Sequence, residues 1–368
     1  MSTPNHRPTA PAGPAPDGAG GAPGEASALD LLAAGTVIPA HPLALDAERR
    51  LDERHQRALT RYYLASGAGG IAVGVHTTQF EIRDSAVALL RPVLELAAET
   101  ADKEAGRPVV KIAGACGYTA QAVAEAELAA ELGYDAVLLS PAVPGADETG
   151  LLERARAVGE VLPVVGFYLQ EAVGGRYLSA DYWRAFADIP SVVAIKAAPF
   201  DRYRTAEVIA AVAASDRAHE VALYTGNDDA ILTDLLTPYR TAGGELRWFA
   251  GGLLGQWAVW TSRAVEMLAQ VRAARAGDQQ LMTDLLCRAP QLSEANAAVF
   301  DVRNAFRGCV PGVHEVLRRQ GLLAGTWCLN PAERLSPRQA EEIARVADAY
   351  PWLTDDAFVA EHRDDWLR

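Results

Sequence analysis

The 368-residue chain carries 34 basic side chains, of which 31 are arginine and only 3 are lysine. One lysine, Lys196, closes the apolar run Ser191-Val-Val-Ala-Ile-Lys196. A charge at the end of such a run is costly unless it is paired or used. Burial disfavours the ammonium and leaves a free amine available. A free amine can attack a ketone and form a Schiff base, which then serves as an electron sink. Arginine cannot replace it there, because the guanidinium stays protonated. The alternative reading is a strand-end lysine held in a salt bridge. Lys103 lies in the polar stretch Asp102-Lys103-Glu104, and Lys111 lies inside another apolar run, leaving Lys111 as a rival nucleophile.

Other groups could serve that amine. Tyr168 ends the apolar run Pro163-Val-Val-Gly-Phe-Tyr168, and a phenol there could carry protons to and from a bound substrate; the alternative is a packed aromatic. Thr77 and Thr78 follow the run Gly70–Val75 and could offer hydroxyls and backbone N–H groups to a carboxylate. His76 beside them could act as an acid or base, or hydrogen-bond within its own loop.

Such groups must be brought together by a scaffold. Short apolar runs recur at 35–40, 70–75, 108–114, 134–140, 163–168, 191–196, 221–226 and 246–251. Helix-like segments lie between them at 47–65, 84–104, 120–132, 151–160, 179–187, 204–214 and 228–236. Nearly all-apolar strands alternating with amphipathic helices indicate a parallel sheet covered by helices. Eight such units predict an α/β fold, a TIM (β/α)8 barrel, whose active site lies at the C-terminal ends of the strands. A doubly wound sheet would need a glycine-rich phosphate turn after its first strand, and Thr36-Val-Ile-Pro-Ala-His-Pro42 is not one. Beyond residue 255 only helical segments are expected, at 256–274, 278–288, 291–304, 312–320 and 336–349, the last opened by Ser336-Pro337 as N-cap and first helical residue. The expected organisation is a Pro/Ala/Gly-rich disordered tail over 1–28, a barrel over 29–255 and a helical extension over 256–368.

Composition excludes several classes. A net charge of −13 argues against a nucleic-acid partner. None of the three lysines sits in the Gly-Lys-Ser/Thr of a phosphate loop. No apolar run reaches the roughly 18 residues that cross a membrane, and the N-terminus lacks a secretory pattern. The four cysteines form no CxxC pair and read as reduced packing residues of a cytoplasmic protein. The histidines form no ligand set: His314-Glu315 has no second histidine of an HExxH helix, and His41 and His55 are too far apart for helical pairing. No metal and no cofactor are expected, and no Gly-x-Ser-x-Gly elbow supports serine hydrolysis.

Lys196 in VVAIKAA, Tyr168 in VVGFY and the block 109–141 together carry a resemblance. The chain from about Gly35 to Leu323 resembles the dihydrodipicolinate synthase / N-acetylneuraminate lyase family of class I aldolases. The resemblance implies that Lys196 is the Schiff-base lysine and Tyr168 the catalytic tyrosine, 28 residues before it. It implies substrate loops at Gly226-Asn227-Asp228-Asp229 and at Gly251-Gly252, and a carboxylate-binding role for Arg176. It also implies a homo-oligomer, a tetramer or a dimer. Some positions depart from the family pattern. Where the family has Gly-Thr-Thr-Gly-Glu, this chain reads Gly74-Val-His-Thr-Thr-Gln79, so either Thr77-Thr78 or Val75-His76 takes the place of the threonine pair. Ala142-Val143 replace an aromatic pair after the fourth strand, which argues against true dihydrodipicolinate synthase activity.

The expected function is a Schiff-base lyase or aldolase acting on pyruvate or another 2-oxo acid, with a 2-oxo acid dehydratase as a variant of the same imine chemistry. A barrel that binds a keto acid or sugar acid without turnover is the competing class.

Overall fold

The computed structural model describes residues 27–240 and 243–368. Residues 1–26 of the expected tail lie outside the described residues. Its last two belong instead to a capped helix, α1 (Ala28–Ala34), where Ser27 accepts from the Asp30 N–H and Asp30 accepts from the Ser27 N–H.

Eight parallel strands form the barrel: β1 (Val37–Pro39), β2 (Gly70–Val73), β3 (Val110–Ala115), β4 (Ala136–Leu139), β5 (Val164–Leu169), β6 (Val192–Ala198), β7 (Ala222–Thr225) and β10 (Gly251–Leu254). Their order is β1-β10-β7-β6-β5-β4-β3-β2, and a parallel bridge between Ala40 and Ala72 brings the two edges together. Helices α2 (Glu53–Ala65), α3 (Leu90–Glu104), α4 (Thr119–Glu131), α5 (Glu148–Gly159), α6 (Ala180–Ala187), α7 (Arg202–Ala213) and α8 (Ile231–Leu236) follow the first seven strands. The alternation arises because each strand is buried on both faces, so only the helices carry a polar side.

One strand differs from expectation. Leu246–Arg247 (β9) pairs antiparallel with Tyr239–Arg240 (β8) outside the barrel, and the eighth barrel strand starts only at Gly251. Its two opening glycines weaken the strand signal, yet close approach demands them. A Cβ on Gly251 would stand 2.2 Å from the Thr36 carbonyl oxygen, and one on Gly252 would stand 2.7 Å from the Trp257 ring.

Two apolar layers result. The outer one joins strands to helices, and the inner one fills the barrel with Ile38, Ile112, Leu138, Val165 and Leu253. Helix α1 closes the floor: Leu32 enters the inner layer and its carbonyl accepts from the Tyr224 hydroxyl at 2.7 Å. Burying such a leucine contributes roughly 1.5–3 kcal/mol.

The extension comprises α9 (Thr261–Arg275), α10 (Gln279–Val299), α11 (Cys309–Arg319), α12 (Gln339–Ala349) and α13 (Asp356–Trp366). The two helices expected at 278–288 and 291–304 are the single α10, which runs through Pro290. Ser336-Pro337 do not cap α12: Arg338 does, at φ 67°, while the Ser336 hydroxyl donates to Asp301. Helix α13 lies beyond the last helical segment expected from the sequence and buries Val359 and Trp366. Among the described residues no helix is long and apolar enough to cross a membrane.

Candidate active site

Side chains alternate across a strand, so the face that each residue of β5 and β6 takes decides the site. Val165, Phe167 and Leu169 point into the barrel with Ala194 and Ala198, whereas Tyr168, Ile195 and Ala197 belong to the outer layer. The pairing of the two strands begins with Val164 opposite Val192, an offset of 28. The next pair is Val165 with Ala194, so one extra residue, Val193, is inserted in β6. Beyond this bulge the offset is 29, and Phe167, not Tyr168, lies opposite Lys196.

Lys196 faces a cavity at the C-terminal ends of the strands. Gly226 on the neighbouring turn makes room for it: a Cβ there would stand 2.5 Å from the lysine Cε. The ammonium sits 4.4 Å from the centre of the Phe167 ring. Among the described residues no salt bridge or hydrogen bond to this amine is formed, although Lys196 is only 8% exposed. Burial pushes its pKa down to about 8, and the nearby Asp228 carboxylate opposes that shift.

Asp228 is pushed up to about 7 by burial, against the Gln256 N–H that it accepts at 2.9 Å and against the Lys196 charge. The Asp228 charge raises the lysine and the Lys196 charge lowers the acid, so the two groups act on each other across the cavity. His76 also lines the cavity and is pushed down to about 4, by burial first and by Lys196 second. It is a neutral imidazole across the neutral range. An amine that loses its proton near pH 8, a carboxyl that titrates near 7 and a neutral imidazole in one apolar cavity can form an imine and move protons around it.

The sequence matches the Dihydrodipicolinate synthetase family over residues 33–350. The chain belongs to this family. It is similar to the 4-hydroxy-tetrahydrodipicolinate synthase of Desulforamulus reducens, 28% identical over 178 residues that make up 47% of this chain and 56% of that one. The match thus spans little more than half of that synthase. Among solved structures, a dihydrodipicolinate synthase from Bacillus anthracis superposes with a TM-score of 0.68 at 23% identity, over 86% of this chain and 98% of that one. A prophage protein of the dihydrodipicolinic acid synthase family from E. coli K12, solved with pyruvate, superposes with a TM-score of 0.69 at 19% identity, over 87% and 98%. These likenesses show the fold.

Within the fold of this family, only some of the expected site residues reach the cavity. Lys196, Asp228, His76 and Thr77 line it. Thr78 is fully buried beneath it. Both threonine hydroxyls are turned to backbone: Thr77 donates to the Ala40 carbonyl at 2.8 Å, and Thr78 donates to His41 at 2.7 Å while accepting from the Gly74 and Val75 N–H groups. They shape the loop rather than present hydroxyl protons to a ligand.

Four expected residues lie elsewhere. The unbroken alternation of β5 points Tyr168 outward onto Trp183, with ring centres 5.1 Å apart and its oxygen 3.5 Å from the Leu178 nitrogen, while the bulge in β6 turns Lys196 to the other face. Arg176 donates to the Ala146 carbonyl and does not line the cavity. Asn227 is fully buried beneath the rim; it accepts from the Phe200 N–H at 3.0 Å and donates to Asp234 at 2.9 Å and Thr205 at 3.2 Å, so it positions Phe200. Gly251 opens its strand instead of ending it, which puts it at the opposite end of the barrel, and Gly255 takes the place beside the cavity.

The remaining walls were not anticipated. Phe167, Phe200, Leu169 and Val173 come from the barrel, and Phe300, Phe306 and Cys309 come from the turn joining α10 to α11. The extension also anchors the rim, because Asn296 of α10 donates to the Asp228 carbonyl at 2.6 Å. No sequence signal marked this wall, because the helix expected over 291–304 runs through Phe300-Asp301, where α10 in fact ends.

Proposed function

We propose that the protein is a Schiff-base-forming carbon–carbon lyase or aldolase that takes pyruvate or another 2-oxo acid, without metal or cofactor, through Lys196. The observation that carries this reading is a buried amine with no ion-pair partner among the described residues, facing a carboxyl that titrates near neutrality in an apolar cavity. The neutral amine attacks the ketone carbon, and the resulting hydroxyl leaves as water with a proton from Asp228. The imine then withdraws electrons from the adjacent carbon–carbon or carbon–hydrogen bond. The pyruvate-bound relative supports the choice of donor.

Asp228 and His76 take the proton-transfer role assigned above to Tyr168. No tyrosine is among the described residues that line the cavity. We therefore place the activity outside dihydrodipicolinate synthesis. A homo-oligomer in the cytoplasm completes the reading. The outward Tyr168 also favours a second reading, a keto-acid-binding barrel without turnover.

Borohydride reduction in the presence of pyruvate, followed by peptide mass mapping, tests the proposal. An adduct on Lys196 is expected. An adduct on Lys111 moves the site, and no adduct with a panel of 2-oxo acids overturns imine chemistry. An adduct on Lys196 with no cleavage or condensation of any aldehyde or hydroxy-oxo acid would leave the binding barrel.

A further inference from the structure

Beside the Lys196 amine, the cavity lining is mainly apolar, with Phe167, Leu169, Val173, Phe200, Phe300 and Phe306 and one uncharged amide, Gln170, among them. The rings of Phe200 and Phe306 meet edge to face with centres 6.0 Å apart. Cys309 completes the wall as a neutral thiol, its ionisation suppressed by burial. Among the described residues that line this cavity, Lys196 is the only cation.

A second, more open chamber stands in front of the first and shares His76, Val173 and Phe306 with it. It serves as the mouth of the cavity. Its charged lining is Glu81, Asp84 and Glu333 against Arg307 alone. A carboxylate or phosphate on a second substrate would pass this excess of negative charge, then find the one cation of the inner cavity already bound as the imine and balanced by the carboxylate of the 2-oxo acid itself. Burying an unpaired anion is strongly unfavourable. A flat apolar group, by contrast, fits among aromatic rings that pack edge to face.

We propose that the second substrate, or the half released on cleavage, is an uncharged aldehyde with an aromatic or branched apolar body, held between Val173, Phe300 and Phe306. This rests on the imine reading of Lys196. In the condensation direction the enamine carbon of the bound 2-oxo acid attacks the aldehyde carbon. A carbon–carbon bond forms, the carbonyl electron pair moves to oxygen, and that oxygen takes a proton from the Asp228 carboxyl. One water then hydrolyses the imine and returns the free amine, so nothing is oxidised or reduced. Cleavage is the reverse.

The test offers the full-length protein pyruvate with benzaldehyde, glyceraldehyde or succinic semialdehyde, and quantifies the condensation products. Benzaldehyde should exceed succinic semialdehyde in kcat/KM by at least about tenfold. Val173→Arg, which adds a cation at the wall between the chambers, should narrow or invert that ratio. Equal or better use of the anionic or polyhydroxylated aldehyde, with the pyruvate adduct still forming on Lys196, overturns the proposal while leaving the imine reading intact. Should no pyruvate adduct form, the imine reading fails by itself, and calorimetry then decides the chamber. Binding of benzyl alcohol but not of succinate supports it, and the opposite order, or no binding of benzyl alcohol, overturns it. Both the aldehyde panel and the calorimetry use the unmodified chain, so they stand if Val173→Arg does not fold.

Discussion

Lys111 and Lys196 are both strand lysines, and each is 8% exposed, yet their surroundings could hardly differ more. Lys111 is the second residue of β3 and points outward between the inward Val110 and Ile112, where its ammonium pairs with Asp102. Lys196 is the fifth residue of β6, points inward at the mouth and has no ion-pair partner among the described residues. Equal burial thus produces a structural cation in one place and a candidate nucleophile in the other. What separates them is the face of the strand, the end of the strand and the presence of a carboxylate close enough to pair.

The largest expected effect breaks the comparison outright. Lys196→Met should abolish the borohydride adduct and lower turnover by roughly a thousandfold or more, whereas Lys111→Met should keep the adduct on Lys196. Loss of the adduct in the Lys111 variant, with the fold intact by circular dichroism, would reverse the assignment.

Asp228→Asn comes next. It keeps an oxygen for the Gln256 N–H but removes the charge that raises the lysine. The Lys196 pKa should fall below about 8, so the acid limb of a trapping-rate profile should move to lower pH. Loss of proton transfer should slow turnover on the order of a hundredfold. A limb that stays in place would show that Asp228 does not act on the amine.

The two lysines should also differ in stability. Lys196 has a folded pKa of about 8, below its ordinary 10.5. Between those values the unfolded chain holds more protons than the folded one, so stability should rise as pH climbs through that window. Near pH 7, where the folded state carries the unfavourable charge, Lys196→Met should stabilise the fold by about 1–3 kcal/mol. Lys111→Met removes a pair whose acid is 62% exposed and should cost no more than about 1 kcal/mol. Urea denaturation at pH 7 and pH 9 checks both signs.

The smallest effect concerns the tyrosine. Tyr168→Phe removes a hydroxyl whose one backbone partner is 3.5 Å away. It should cost less than about 1 kcal/mol and change kcat/KM by less than about threefold. A loss of a hundredfold would mean that β5 presents Tyr168 to the cavity after all.

Much of the scaffold is legible in the chain. Seven of the eight barrel strands lie where the apolar runs place them, because a strand buried on both faces needs an unbroken apolar stretch. The eighth is displaced because Gly251-Gly252 look like a loop, although they are there to let Thr36 and Trp257 approach. At the site, Lys196, Asp228, His76 and Thr77 are readable as strand-end or loop residues. The aromatic wall is not, since a phenylalanine between two helices has the same signature whether it packs a core or roofs a cavity.

By itself, the sequence determined the family and the alternation of strand and helix, and it singled out the lysine proposed as the nucleophile. Each of these follows from local composition or from blocks of matched residues. Only the tertiary structure decided what stands beside that lysine. A strand has a period of two, so one inserted residue reverses the face of everything beyond it. Val193 is that residue, and as an ordinary apolar member of β6 it leaves no mark in the text. It turns Lys196 into the barrel opposite Phe167 and away from the face that Tyr168 takes, while a turn more than a hundred residues later supplies the rest of the wall.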